Sequence, residues 1–151
     1  MSNRSWASIN LESLRHNLGI AQQRCPSSAL LPVVKANGYG HGLKRVAKAI
    51  WRSKIPMKGL AVATRNEARC LREIDSDQSI VLLPGFINRE ELEECSSLNI
   101  EPVVHSLYQI ALLEAREQPC RFPFVWLKIT TGMNRLGFHE KNIVSASDAL
   151  N

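Results

Sequence analysis

Residues 33–42 read VVKANGYGHG, and this stretch decides how the chain is expected to fold. It follows the apolar run 29–34 and places Lys35 at the start of a glycine-rich turn, after which a helical pattern begins at Leu43. A buried strand, a turn and a helix in this order are typical of an α/β protein, in which functional side chains lie at the carboxyl ends of the strands. Lys35 is therefore expected at that edge of the sheet.

The position of Lys35 suggests chemistry for its amine. A lysine at the apolar end of a strand loses part of its hydration, which lowers the pKa of the amine and makes its neutral, nucleophilic form available. The alternative is that Lys35 only caps the strand and points to water, as most charged side chains do. The residues alone leave both interpretations open.

Short apolar strands alternate with amphipathic helices along the rest of the chain. Capping residues open the helices at Asn10, Thr64, Asn88 and Ser106, and the clearest apolar stripe runs from Leu43 to Trp51. The predicted strands are 29–34, 60–63, 80–83, 100–104 and 124–129, and a last weak helix is predicted at 143–150. This alternation predicts parallel βαβ units. The fold class is therefore α/β with parallel strands, in about five βα units.

Two of the predicted strands need comment. Pro32 lies inside the strand 29–34 and lacks the N–H that a central strand uses, so a local bulge is expected there. Residues 6–9 can form a further short strand before Asn10 begins the first helix.

Length and charge limit the classes of function. The 151 residues are enough for one hydrophobic core. Basic and acidic residues intersperse despite the net charge of +5, as in 65–69 and 89–91. This pattern indicates a solvated surface and not a nucleic-acid-binding stretch.

The four cysteines are far apart and form no Cys-x-x-Cys pair, so neither a metal site nor a disulfide scaffold is predicted; they are Cys25, Cys70, Cys95 and Cys120. Free thiols indicate a reducing compartment. No apolar signal core opens the chain and no window has the length and hydropathy of a membrane span, which predicts a cytoplasmic protein.

Two motifs carry a family resemblance. The stretch 33–42 resembles the lysine motif of alanine racemases, which are fold-type III enzymes that use pyridoxal 5'-phosphate (PLP). The segment 126–138, WLKITTGMNRLGF, resembles the second signature of the same family. The two motifs have the family's order and spacing, so the resemblance covers nearly all of this chain, although not a whole racemase.

The resemblance implies an isomerase that interconverts L- and D-alanine for peptidoglycan synthesis, as a cytoplasmic homodimer with no nucleic-acid or membrane partner. It implies a partial TIM-like (β/α) barrel with about five of the eight units that closure needs, and since a complete barrel needs about 250 residues, the chain is expected to be the N-terminal part of a longer protein. It assigns residues 11–151 to the PLP-binding barrel, and residues 1–10 to a strand that packs with a C-terminal β-domain. The second catalytic base of the family, a tyrosine, lies beyond residue 151. The chain by itself is therefore expected to be inactive.

The resemblance also implies roles for individual residues. Lys35 would hold PLP and act as the base for the D-enantiomer, and Tyr39 would lie near the cofactor phosphate. Arg135 would contact the phenolic oxygen of the cofactor and the substrate carboxylate, while Lys128, often carbamylated in the family, would orient it. The residues leave plainer roles open: Tyr39 as an anchor of the turn, Lys128 paired with a carboxylate, and His41 bonded to the backbone.

Thr130 departs from the family, which commonly has Asp or Asn at this position. Three alternative functions remain: a racemase of another small amino acid such as serine, a PLP-binding or subunit-association fragment without catalysis, and a PLP carrier of the same barrel group. The second motif and residues 39–42 speak against the carrier.

Overall fold

The computed structural model describes residues 5–116 and 118–150 and contains one parallel four-stranded sheet. The strands are β1 (Leu60–Val62), β2 (Ile80–Leu82), β3 (Glu101–Val104) and β4 (Trp126–Leu127). They lie side by side in chain order, so every crossover steps in the same direction. This is the wall of a (β/α) barrel, since a doubly wound sheet reverses its strand order. The predicted fold class is confirmed.

Helices occupy the connections between the strands. They are α1 (Leu11–Arg24), α2 (Lys35–Tyr39), α3 (Leu43–Trp51), α4 (Arg65–Arg72), α5 (Arg89–Ser97), α6 (Leu107–Glu114), a 3-10 turn (Glu140–Asn142) and α7 (Ile143–Asp148). The described helices include none that is both long and apolar enough to cross a membrane.

The predicted caps explain where most helices begin. The side chain of Asn10 accepts hydrogen bonds from the N–H groups of Glu12 and Ser13, and Thr64 forms a complete capping box with Glu67. The box predicted at Ser106 forms only in part. Gln109 accepts from the His105 N–H at 2.7 Å, one residue before the cap, because its amide also donates to the β2–α5 loop.

Alternate residues of each strand pack on opposite sides of the sheet. On the helix-covered face, side chains join a core that includes the apolar sides of the helices; they are Leu60, Val62, Ile80, Leu82 and Val104. On the opposite side, here called the inner face, Ala61, Val81 and Val103 form a smaller cluster with Leu31, Leu83 and Trp126. The helices are therefore fixed by one face, and the inner face has a second, smaller apolar cluster.

The structure corrects the predictions for residues 6–9 and 29–34. Residues 5–10 form no strand, and residues 1–4 lie outside the described residues. Nothing in the described chain pairs with this segment, and a strand needs a partner for its backbone groups. The segment 29–34 is also not a regular strand: it meets its neighbours only through bridges from Leu30 to Met57 and from Val33 to Ala61. Pro32 lies between the bridges and uses its carbonyl, which accepts the Ala61 N–H at 2.9 Å.

Candidate active site

Segments that carry the predicted site residues end at one edge of the sheet. The Val34 N–H donates to the Ala61 carbonyl at 2.8 Å, so Lys35 lies just past the point where this segment aligns with β1. The Lys128 N–H donates to the Val104 carbonyl at 2.8 Å, immediately after β4. Because these segments run parallel, both lysines lie at the carboxyl edge, where barrel enzymes have their active sites.

The lysine turn, residues 34–42, has an unusual backbone. Ala36, Asn37, Gly38 and Tyr39 have consecutive φ values of 51°, 55°, 65° and 53°. The left-handed conformation costs a non-glycine residue roughly 1–2 kcal/mol. Strain of this kind persists only where surrounding contacts hold it, and it is concentrated at functional sites.

Backbone hydrogen bonds close the lysine turn on itself. The Gly38 N–H donates to the Val34 carbonyl at 2.9 Å, and the Gly42 N–H donates to the Asn37 carbonyl at 2.8 Å. The Asn37 side chain accepts the Leu43 N–H at 2.8 Å, which ties the turn to the start of α3. The turn is therefore an ordered part of the fold.

Gly38 and His41 have structural roles in this turn. A Cβ at Gly38 would lie 3.3 Å from Val46 Cγ2, so the turn packs closely on α3. His41 Nδ1 lies 3.0 Å from the Gly38 carbonyl and must be the protonated nitrogen, since a carbonyl only accepts. This is the backbone contact considered for His41 from the sequence.

The arginine loop, residues 128–138, is closed at its base. The Phe138 N–H donates to the Lys128 carbonyl at 2.8 Å, and the Thr130 N–H donates to the Phe138 carbonyl at 3.0 Å. The Thr130 hydroxyl also bonds to the Asn134 side chain and accepts the Asn134 N–H. The departure at Thr130 thus still supplies hydrogen bonds that shape the loop. Arg135 lies on its exposed arm.

The four predicted site side chains have free polar ends. Lys35 and Lys128 are half-buried, whereas Tyr39, at 57% exposed, and Arg135 are more open. Within residues 5–116 and 118–150, none of the four side chains has a hydrogen-bond or ion-pair partner. For Lys128, the alternative of a carboxylate partner therefore has no support in the described chain.

Other residues at the carboxyl edge have structural roles. Thr64 caps α4, and His105 Nε2 lies 3.1 Å from the Pro84 carbonyl. A Cβ at Gly85, where φ is +67°, would lie 2.2 Å from the Val103 carbonyl oxygen, so only glycine fits. These residues join neighbouring strand ends within the fold.

A cavity of about 490 Å³ lies between α1 and the lysine turn. Tyr39, His41 and Val33 contribute to its wall, together with Leu14 of α1. Neither Lys35 nor Arg135 lines it. Of the four predicted site residues, only Tyr39 is among the residues that line this cavity.

Sequence reasoning missed the long-range contacts of three buried or half-buried polar residues, two at the carboxyl edge and one, Glu101, at the amino ends of the strands. Glu67 was assigned from its spacing to the cap of α4, but it also reaches the lysine turn. Gln109 is 2% exposed and links the loops after β2 and β3. Glu101 is 4% exposed and accepts hydrogen bonds from Ser79 at 2.6 Å and Trp126 at 2.7 Å. Several of these partners are distant in sequence, and the local signals were the capping-box spacings of Thr64 with Glu67 and of Ser106 with Gln109.

Comparison with known proteins agrees with this arrangement. The family model described as alanine racemase, N-terminal domain, matches residues 9–151. An alanine racemase from Alcanivorax borkumensis is 42% identical over 142 residues, which are 94% of this chain and 38% of that protein. One from Coxiella burnetii is 41% identical over 136 residues, which are 90% of this chain and 36% of that protein.

Solved structures show the same likeness. The biosynthetic alanine racemase from Pseudomonas aeruginosa has a TM-score of 0.82 and 31% identity, with 93% of this chain and 38% of that chain covered. The enzyme from Acinetobacter baumannii has a TM-score of 0.83 and 29% identity, with 94% and 42% covered. The chain thus spans well under half the length of these relatives. It belongs to the alanine racemase N-terminal domain family.

Proposed function

We propose that this chain is the lysine-bearing part of an alanine racemase, an isomerase that interconverts L- and D-alanine with PLP. The observation that carries the proposal is the free amine of Lys35, held by a left-handed turn at the same sheet edge as the arginine loop. The names of the relatives supply the reaction and its substrate.

The residues at the edge fit the cofactor. PLP carries an anionic phosphate and a phenolic oxygen, and when bound it makes the α-proton of an amino acid removable. Lys128 and Arg135 have no partners among the described residues, so their polar ends are available to anionic groups, and the Lys35 amine is likewise unpaired there. Tyr39 adds a hydroxyl that can donate to a phosphate oxygen.

Each side chain has a distinct task in this proposal. Lys35 would hold the cofactor through Nζ, and its amine, released when the substrate takes its place, would accept the α-proton of D-alanine. The planar guanidinium of Arg135 donates to the substrate carboxylate and to the phenolic oxygen. Lys128 lies at the base of the arginine loop, and if carbamylated it would be an anion that orients that arginine.

The wider assignments follow the same proposal. The parent protein acts in the cytoplasm as a homodimer and provides D-alanine for peptidoglycan. Its second base comes from residues outside 1–151, so the chain alone should not exchange the α-proton of alanine. Incubation of the purified chain with PLP and L-alanine in deuterated water tests this, and deuterium at Cα above a protein-free control would contradict it.

Attachment of PLP to Lys35 can be tested by borohydride reduction followed by peptide mapping. We expect the label on Lys35, and we expect Lys35→Ala to remove it. The matched control is Lys44→Ala on α3, whose exposed amine pairs with Glu73 at 3.2 Å and should not affect the labelling of Lys35. A label spread equally over surface lysines would contradict the assignment.

A further inference from the structure

One carboxylate joins α4 to the lysine turn. Glu67 Oε2 accepts the N–H groups of Ala63 and Thr64, each at 3.1 Å, which caps the start of α4. Its other oxygen, Oε1, accepts the Asn37 N–H at 3.3 Å, across 30 residues of sequence. Glu67 therefore contacts both the end of β1 and the second residue after Lys35.

The hydrogen bond from Asn37 to Glu67 lies at the left-handed part of the turn. Asn37 has a φ of 55° and lies between Ala36 and Gly38, which are also left-handed. The Asn37 carbonyl and side chain are used inside the turn, by Gly42 and Leu43. Its N–H is the group that reaches outward to α4, so this bond fixes the turn relative to the sheet.

The charge state of Glu67 suits this task. Partial burial raises the pKa of its carboxyl, but hydrogen bonds from the N–H groups of Ala63 and Asn37 contribute to a larger opposite effect. The net pKa lies below its ordinary value, so the group is ionised at neutral pH. An ionised carboxylate only accepts, and both oxygens can serve N–H donors at once.

We propose that Glu67 is a positioning residue that holds the lysine turn in its left-handed conformation through the Asn37 N–H and so directs Lys35 to the carboxyl edge. This inference rests on the proposed function for the role of Lys35. The bond to the turn is separate from the bonds that cap α4, so the two effects can be distinguished by substitution.

Hydrogen exchange of the Asn37 amide tests the contact without any cofactor. Glu67→Gln keeps the size of the side chain but turns an amino group toward donors, so exchange of this amide should rise about tenfold. Thr64→Ala is the matched control, because it removes the hydroxyl that accepts the Glu67 N–H at 3.2 Å and leaves the carboxylate in place. It should change that exchange by less than about twofold.

Glu67→Asp separates reach from charge, and it supplies the test if Glu67→Gln does not fold. Aspartate keeps the negative charge at the start of α4 but is one methylene shorter, so it should also raise the exchange at Asn37. Equal effects of the Glu67 variants and Thr64→Ala, or no effect of the Glu67 variants, would overturn the proposal.

Reductive labelling with PLP tests whether Glu67 places the Lys35 amine where it can react with the cofactor. The readout is the label on Lys35 divided by the label on Lys44, which we expect to fall at least about fivefold in Glu67→Gln and to stay unchanged in Thr64→Ala. Faster exchange at Asn37 with an unchanged labelling ratio would overturn the positioning role. If the wild-type chain takes no label at Lys35, the proposed function fails, while the exchange result still decides whether Glu67 holds the turn.

Discussion

The two faces of the sheet differ in what they bury. On the helix-covered face, large aliphatic side chains such as Ile80 and Leu82 are fully buried against the helices. The inner face has the smaller side chains of Ala61 and Val81 and also the buried carboxylate of Glu101. The comparison teaches that the free energy of folding comes mainly from the helix-covered face, which leaves the inner face and its carboxyl edge free for polar groups.

The largest expected effect compares two neighbouring leucines on opposite faces. Leu82→Ala should lower the free energy of unfolding by about 3 kcal/mol, because the fully buried side chain leaves a cavity under the helices. Leu83→Ala is the matched control on the inner face, where the side chain is only half-buried, and should cost about 1 kcal/mol. Urea unfolding measures both, and equal losses would remove the proposed difference between the faces.

A second prediction concerns the polar group of the inner face. Glu101→Leu removes the acceptor for Ser79 Oγ and Trp126 Nε1 and should cost about 2 kcal/mol, since buried donors are left without partners. Glu101→Gln keeps one carbonyl oxygen and should cost less. Denaturant unfolding followed by tryptophan fluorescence measures both changes. A leucine variant as stable as the wild-type chain would show that this network does not stabilise the inner face.

Sequence patterns within single segments correctly predicted the helices and strands whose limits are set by their own residues. The apolar stripe and the capping residues located α3 and α4, and short apolar runs located β1 and β2 to within one residue. Residues 6–9 were predicted as a possible short strand and 29–34 as a strand with a bulge at Pro32, and neither forms a regular strand. Whether an extended segment becomes a strand depends on a partner elsewhere in the chain, and its own residues do not reveal that partner.

The site was predicted to a similar extent. The order of an apolar run, a lysine and glycines was enough to place Lys35 at a strand end, and the same logic placed Lys128. The left-handed φ of Ala36 could not be inferred, because an alanine does not prefer that conformation. The reach of Glu67 to Asn37 was also hidden, since a contact across 30 residues leaves no local pattern.

The stability of the helix-covered face should depend on pH through an ion-pair cluster between two of its helices. Hydrogen bonds from Arg69 and Arg65 to Glu94 join α4 to α5 and hold the pKa of that carboxyl below its ordinary value. The resulting stabilisation is present above the ordinary carboxyl pKa of about 4.3 and is lost as the pH falls through the lowered value. Glu94→Gln should therefore reduce the loss of stability between pH 7 and pH 3. Thermal unfolding across this range measures it, and parallel curves for the two proteins would contradict the prediction.

The smallest expected effect is a difference in reactivity between two cysteine thiols, one of which is buried at the helix-covered face. Cys95 on α5 is 1% exposed, and burial raises the pKa of its thiol to about 12, so it should react with iodoacetamide only after unfolding. Cys25, after α1, is exposed and should be alkylated in the folded protein. Mass spectrometry of the native chain, with Cys25→Ser as the control, separates the two sites. Cys95 packs in the same core as Leu82, so Leu82→Ala should lose the protection of Cys95 at a lower urea concentration than Leu83→Ala. Alkylation of Cys95 as fast as that of Cys25 in the wild-type chain would contradict the close packing of the helix-covered face.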